Sequence, residues 1–319
     1  MTGVQTCALP ISLNLLLFWY SVIKNYYKSE IFHCNDLYTL PPACLIKIFF
    51  NKKAKIVYDC HEHETEAQIY VGNPILKIAS KIAERKLIHY ADKVIVVSNS
   101  IMEDYIDMYK IEPPVLVMNC PSFQTYKDEK YFRKTFNIPS DYIILLYVGI
   151  YKQGRGLENL IDLFRQATRR NKKLSLVLLT WGDGIDELKE SIKNDENIFI
   201  HGSAPLDVFM SYVASADFGV LLLENISKNN DYALPNKLFD YVMAKLPVIT
   251  SNLKEMAEFV KVNKVGYVVD LESQNKMIDL IVRINMNMKK SLLPNLEKTR
   301  KIYTWEEQEK KLLNLYKTL

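Results

Sequence analysis

The sequence is poor in glycine, with ten in 319 residues, and eight of those ten fall at or after Gly149. Glycine is the residue that lets a backbone come close to a ligand or turn left-handed, so close backbone approach is expected in the second half. The chain has no CxxC pair. Its five cysteines, Cys7, Cys34, Cys44, Cys60 and Cys120, are odd in number and scattered, which speaks against a disulfide framework and a zinc site and leaves reduced, buried thiols. Like-charge blocks are also absent: 41 basic and 37 acidic residues leave +4, and residues 1–125 carry 12 of each sign. Nothing marks a nucleic-acid surface. Finally, no long apolar run is present. The stretch 11–23 is 13 residues and contains Ser12, Asn14 and Ser21, too short to span a ~30 Å hydrocarbon core, and it lacks the basic residues that precede a signal peptide's apolar segment. It reads as a core-facing helix.

What is present is a globular composition, 49% hydrophobic and 24% charged, long enough for two domains with cores of their own. Residues 1–12 show neither helical nor strand periodicity and resemble translated sequencing adapter; they read as a non-native leader ahead of a truncated first domain. From Ile31 onward, short apolar runs alternate with helical patterns, the signature of parallel α/β units. The runs at 31–34, 55–60, 94–98 and 115–119 form a thin first set. Those at 143–149, 174–181, 198–202, 218–223, 247–251 and 266–270 form a fuller second set, enough for a Rossmann-like domain. Pro74 suits the start of a helix, Ser100 with Glu103 fits a capping box, and Ser98 and Ser100 read as caps before nucleophiles. The expected organisation is a leader (1–12), an incomplete first domain (13–122), a polar connection with Pro121 just ahead of it (123–140), a second domain (141–300) and a C-terminal helix (301–319) packing through Trp305, Leu312, Leu313 and Tyr316.

In parallel sheets, ligands sit at the carboxyl ends of strands. The run ending at Gly149 leads into YKQGRGLENL, where glycines, one cation (Arg155) and a helix N-terminus suit a phosphate; a plain tight βα turn suits the same residues. Gly182 follows the next run. In DYALPNKLFDY, Pro235 opens a helix, Asn236 and Asp240 share a face, and Lys237 stands against the macrodipole unless an anion is bound. A solvated Lys–Asp surface helix fits that pattern equally. HCND places Asn35 and Asp36 at a strand end, with Asp36 a candidate for positioning or deprotonating a hydroxyl or an Asx cap. His61, His63 and Glu64 in HEHE lack the spacing of a metal site. His33, His89 and His201 read as ordinary half-buried histidines.

Taken in order, FHCNDLYTLP, KIVYDCHEHETE, ADKVIVVSNSI, LLYVGIYKQGRGLENLI, ALPNKLFDYVMAKLPVI and YTWEEQEKKLLNLY resemble the nucleotide-sugar glycosyltransferases of the GT-B fold, family 4. The resemblance implies two Rossmann-like parallel-sheet domains facing across a cleft. It also implies retention of anomeric configuration without a metal or cofactor, and a nucleoside-diphosphate sugar donor. The acceptor would be a glycan or a lipid-linked one, in cell-surface polysaccharide synthesis at the cytoplasmic face of a membrane. Residue by residue, it puts the donor diphosphate near Gly149, Arg155, Gly182, Asn236 and Lys237, and the ribose near Asp240. The acceptor or transferred sugar falls near Asn35, Asp36 and His61, so that Asp36, His61 and Asp240 are the catalytic candidates. The family's two glutamates fall on Tyr232 and Asp240, so one is lost and one shortened, and its usual arginine after the strand-turn glycine is Ile150. Lys245 replaces a helix-ending glycine at a cost of about 1 kcal/mol. A nucleotide-sugar 2-epimerase and a non-catalytic nucleotide-sugar-binding protein are the alternatives.

Overall fold

The structure, a computed structural model, describes residues 11–127, 129–151 and 156–319. The chain forms two compact units: one runs to Val117 and takes in Lys311–Leu319, the other is Met118–Lys310. The presumed leader lies almost wholly outside the described residues.

In the first unit β1 (Ile31–Asn35), β2 (Lys55–Cys60), β3 (Lys93–Val96) and β4 (Val115–Leu116) pair in parallel in chain order. They are connected by α2 (Leu40–Phe49), α3 (Pro74–Leu87) and α4 (Asn99–Tyr109). A strand covered on both faces must be apolar almost throughout, and Ile56, Val57, Tyr58 and Cys60 of β2 are all fully buried. The helix expected to face the core, α1 (Ile11–Tyr26), does not: Leu16 is 56% and Leu17 50% exposed. It packs on α2, with Trp19 Nε1 donating to the Tyr38 carbonyl at 2.8 Å. At α4 the cap is Ser98, whose Oγ accepts the Ile101 N–H; Ser100 lies buried in the first turn. The four described thiols are free and buried, and burial pushes Cys34 and Cys44 up to about 12.

The second unit holds β5 (Ile143–Ile150), β6 (Leu174–Trp181), β7 (Ile198–Ile200), β8 (Phe218–Leu221), β9 (Val248–Ser251) and β10 (Gly266–Val269). All are parallel, in the order β10-β9-β8-β5-β6-β7. The sheet is thus wound in both directions from β5, and the winding reverses between β5 and β8, the place where such sheets bind ligands. The β5–β8 ladder ends at Leu146↔Gly219. Beyond it, Tyr241 takes over: its hydroxyl accepts the Val148 N–H at 3.0 Å and lies 3.1 Å from the Leu146 oxygen and 3.2 Å from that of Val220. Only glycine fits opposite, because a Cβ on Gly219 would stand 2.4 Å from the Tyr241 ring.

Tyr241 belongs to α10 (Asn236–Met243), which starts directly after Pro235 and ends with Lys245 in the left-handed region at φ 57. Between the sheets in sequence, the polar connection carries α5 (Tyr131–Phe136), whose Phe132 is fully buried. Phe132 and Phe136 pack on His201 with Tyr212, and burial lowers that imidazole's pKa, as an ordinary core histidine requires. The closing helix α14 (Trp305–Lys317) spans the boundary between the units. Leu315, with Leu312 and Tyr316, packs on Val57, Ile95 and Val117, while Leu313 is 53% exposed and Trp305 36%. Of the four residues expected to pack, Leu312 and Tyr316 do so and Trp305 and Leu313 do not.

Candidate active site

In the second unit the described donor candidates, Gly149, Gly182, Asn236, Lys237 and Asp240, lie at the carboxyl ends of β5 and β6 and in the first turns of α10. Gly149, the penultimate residue of β5, sits at φ 147, and its carbonyl accepts the Thr180 hydroxyl at 2.7 Å. Lys237, in the first turn of α10, lays its ammonium over the Tyr147 ring, 4.8 Å from the centroid. The same ammonium would be 2.8 Å from a Cβ on Gly149. The missing side chain is what admits the cation to the strand end. Asn236 is exposed beside it, and Asp240 follows one turn later, half-buried. Burial pushes the Asp240 carboxyl up to about 7, against the pull of Lys237. Gly182 follows β6 at φ 126, where a Cβ would meet the Tyr151 carbonyl at 2.8 Å. Arg155 lies outside the described residues. Tyr232, at the position of the missing glutamate, stands between two ammonium groups, Lys228 and Lys254, each 5.2 Å from its ring centroid.

In the first unit, Asn35, Asp36 and His61 gather at the ends of β1 and β2. The backbone of Asp36 sits at φ 64, ψ 164, a region nearly reserved for glycine that costs about 1–3 kcal/mol and collects at functional sites. Asp36 precedes a short turn of helix, yet its side chain makes no capping hydrogen bond, so the Asx-cap reading is not what holds it. Asp59 lies between two imidazoles, His33 Nε2 at 2.9 Å and His61 Nε2 at 3.5 Å. His33 is therefore not an ordinary histidine: its Nδ1 also meets the Tyr316 hydroxyl at 2.5 Å. His61, His63 and Glu64 turn to different partners: Asp59, Asp104 and the Leu37 N–H, respectively. Among the described residues no three histidine, cysteine or carboxylate groups form a cluster that could hold a metal ion.

Sequence reasoning missed His33, Asp59, Glu64 and Tyr241. Asp59 was within reach, since strand register sets it opposite Asn35. Tyr241 and Tyr316 act over 95 and 283 residues of separation, which no local pattern carries.

Two parallel α/β units, the second wound in nucleotide-binding order with a cation at its switch point, define a GT-B-type protein. Comparison makes this specific. A profile described as glycosyl transferases group 1 matches residues 142–287, and one described as glycosyltransferase family 4 matches residues 5–121. The chain is a group 1, family 4-like glycosyltransferase. No curated protein matches it in sequence. Among solved structures, sucrose-phosphate synthase from Thermosynechococcus elongatus superposes with TM-score 0.76 at 18% identity, over 97% of this chain and 80% of that one. HepE of Anabaena, solved with UDP-glucose, gives 0.72 at 11% over 98% and 84%. TarM of S. aureus, in complex with UDP and α-GlcNAc-glycerol, gives 0.68 at 17% over 95% and 59%. At these identities the likeness is one of fold.

Proposed function

We propose that the chain is a retaining, metal-independent hexosyltransferase. On this reading it takes its sugar from a nucleoside-diphosphate sugar and passes it to a glycan or lipid-linked acceptor in cell-surface polysaccharide synthesis, at the cytoplasmic face of a membrane. The observation that carries the donor half is the Lys237 ammonium at the α10 N-terminus, seated against Gly149 beside the switch point. A helix N-terminus and a lysine together favour a diphosphate, and they stabilise it most as it departs with the bond electrons. That is the charge an oxocarbenium-like transfer develops, and no side-chain nucleophile is required. HepE and TarM, solved with UDP-glucose and with UDP, support the donor class. Asp36, held in a strained backbone, is read as the carboxylate that orients the acceptor hydroxyl, with His61 beside it. Calorimetric titration with UDP, GDP, ADP and dTDP tests the reading: one should bind in the micromolar range, and no binding by any would overturn it. Product analysis separates transfer from 2-epimerisation, since only transfer releases free nucleotide together with a glycoside.

Asp240 supplies a pH signature. A ribose hydroxyl donates to the ionised carboxylate, and this carboxyl titrates at about 7. Raising the pH through that value ionises the acceptor, so nucleotide affinity should climb about tenfold between roughly pH 6 and 8. Asp240→Asn should flatten that rise.

The membrane contact is assigned to α3. Its outer face carries Ile75, Ile78 and Ile82, 80%, 59% and 52% exposed. Its charged residues are Lys77 and Lys81, both paired with Glu66, and Arg85 and Lys86, with one acid, Glu84, turned fully inward. Exposed isoleucines at helical spacing in a cationic setting match an anionic lipid interface. Sedimentation with phosphatidylglycerol-containing vesicles should show the chain bound, and Ile78→Glu should weaken binding about tenfold, the value of one buried side chain. Equal binding of both would reject the assignment.

A further inference from the structure

The face of the first sheet that α14 covers carries a line of polar side chains behind the strand ends. Side chains two apart on a strand share a face, so Val57 and Asp59 of β2 point the same way. Asn35 pairs with Asp59 in register, which sets His33 on that face as well. Leu315 of α14 packs on Val57, and Tyr316 beside it stacks on His33, with ring centroids 6.1 Å apart. All of these belong to the first unit. The Tyr316 hydroxyl lies 2.5 Å from His33 Nδ1, and His33 Nε2 lies 2.9 Å from Asp59 Oδ2. That same oxygen faces His61 Nε2 at 3.5 Å. The Asp59 carbonyl accepts the Asp36 N–H at 2.9 Å, so a single residue holds the strained backbone of Asp36 and faces the ring of His61.

We infer that Asp59 is a positioning residue for His61, fixed from behind by His33 and Tyr316: its carboxylate takes the Nε2–H of that ring and leaves the Nδ1 lone pair for the substrate. This rests on the reading of His61 given above. A carboxylate only accepts hydrogen bonds, so each ring nitrogen that faces Oδ2 carries a hydrogen. In an imidazole, the bond made at one nitrogen decides what the other presents. His33 Nδ1 is therefore an acceptor, and the Tyr316 hydroxyl donates to it. Burial, chiefly, and the Asp59 charge push that phenol up, which keeps its proton in place. The line opens outward: the Asp59 side chain is 17% exposed, that of His33 28% and that of His61 46%. The most open ring is thus the one that can meet a ligand. At 3.5 Å its contact with Asp59 is long, as catalytic hydrogen bonds commonly are before a substrate arrives.

Nitrogen-15 NMR of the ligand-free full chain, labelled at histidine, reads the tautomers directly. Both His33 and His61 should be held in the Nε2–H form at a pH where the rings are neutral. Asp59→Asn keeps the shape and removes the charge, and it should move the His61 tautomer ratio toward Nδ1–H by about twofold or more. His63, His89 and His201 should not respond. Tyr316→Phe should move the His33 Nδ1 resonance, which loses its donor. A His61 held as Nδ1–H, or a ratio equal in Asp59→Asn and wild type, overturns the inference. In a second arm, release of UDP from UDP-glucose is followed in a double-mutant cycle. Asp59→Asn should lower kcat about tenfold with KM within about threefold, and should add less than about twofold once His61 is replaced by alanine. Additive losses in the double variant would give Asp59 a separate structural role and also overturn it. Full turnover by His61→Ala would instead refute the acceptor-side reading of His61, and the tautomers would still decide whether Asp59 holds that ring.

Discussion

Replacing Glu84 with alanine is expected to cost the first unit about 4 kcal/mol, the scale of breaking a buried charged network. Glu84 points inward from α3 and is fully buried. Its Oε1 accepts the hydroxyls of Tyr58 at 2.7 Å and Tyr105 at 2.8 Å, and its Oε2 that of Tyr109 at 2.5 Å. One carboxylate thus joins α3 to β2 and α4. Burial, reinforced by that charge, drives all three phenols above their ordinary range, so they act as donors at any working pH. Alanine strands three hydroxyls in the core and leaves a cavity. Glutamine should cost less, about 2 kcal/mol, because its carbonyl still accepts while its amide meets hydroxyls that must turn round. Urea unfolding followed by hydrogen exchange in β2 and α4 measures both. A loss below about 1 kcal/mol for Glu84→Ala would mean that water replaces the carboxylate. Changing Glu84 to leucine together with all three tyrosines to phenylalanine should recover much of the loss, since removing every partner is milder than removing one.

The same residue shows what the sequence could and could not reveal. Pro74 marks where the helix PILKIASKIAERKL begins, but not which of its faces turns inward. In the fold Ile75, Ile78 and Ile82 face outward and Glu84 inward, where three tyrosines from other elements donate to it. The strands were legible, all ten of them, since parallel strands are continuous apolar runs bounded by turns; only their ends moved, as at β4, which keeps two residues of the expected five. The strand-end positions of Gly149 and Asp36 followed from those runs, and that of Lys237 in a helix's first turn from Pro235. Their partners did not: Glu64, which accepts the Leu37 N–H, is 27 residues beyond it, and the Tyr241 bridge across the switch point joins segments that no spacing rule connects. At α1 the apolar run misled: the helix packs on α2, yet Leu16 and Leu17 stand exposed.

Lys237→Ala is expected to weaken nucleotide binding about a hundredfold and slow transfer by a further factor of ten or more, the range found when a charge on a departing oxyanion is deleted. The loss should exceed that of a surface lysine because the side chain is held, over the Tyr147 ring and against the bare backbone of Gly149, so little entropy is lost in ordering it when a diphosphate arrives. Gly149 allows an independent check on the same geometry. In Gly149→Ala the new methyl would stand 2.8 Å from the ammonium, at a backbone φ of 147. The flexible lysine gives way, moving off the strand end, and affinity should drop about tenfold with the charge still present. Lys237→Arg should fall between the two, keeping the charge while presenting a planar fork where a compact ammonium fitted. Titration of each variant with UDP-glucose measures the series, with thermal unfolding confirming that Lys237→Ala leaves the fold intact. Equal affinity in Lys237→Ala and wild type would remove the phosphate from this strand end. A loss in Lys237→Ala without one in Gly149→Ala would keep the charge but reject the seat against Gly149.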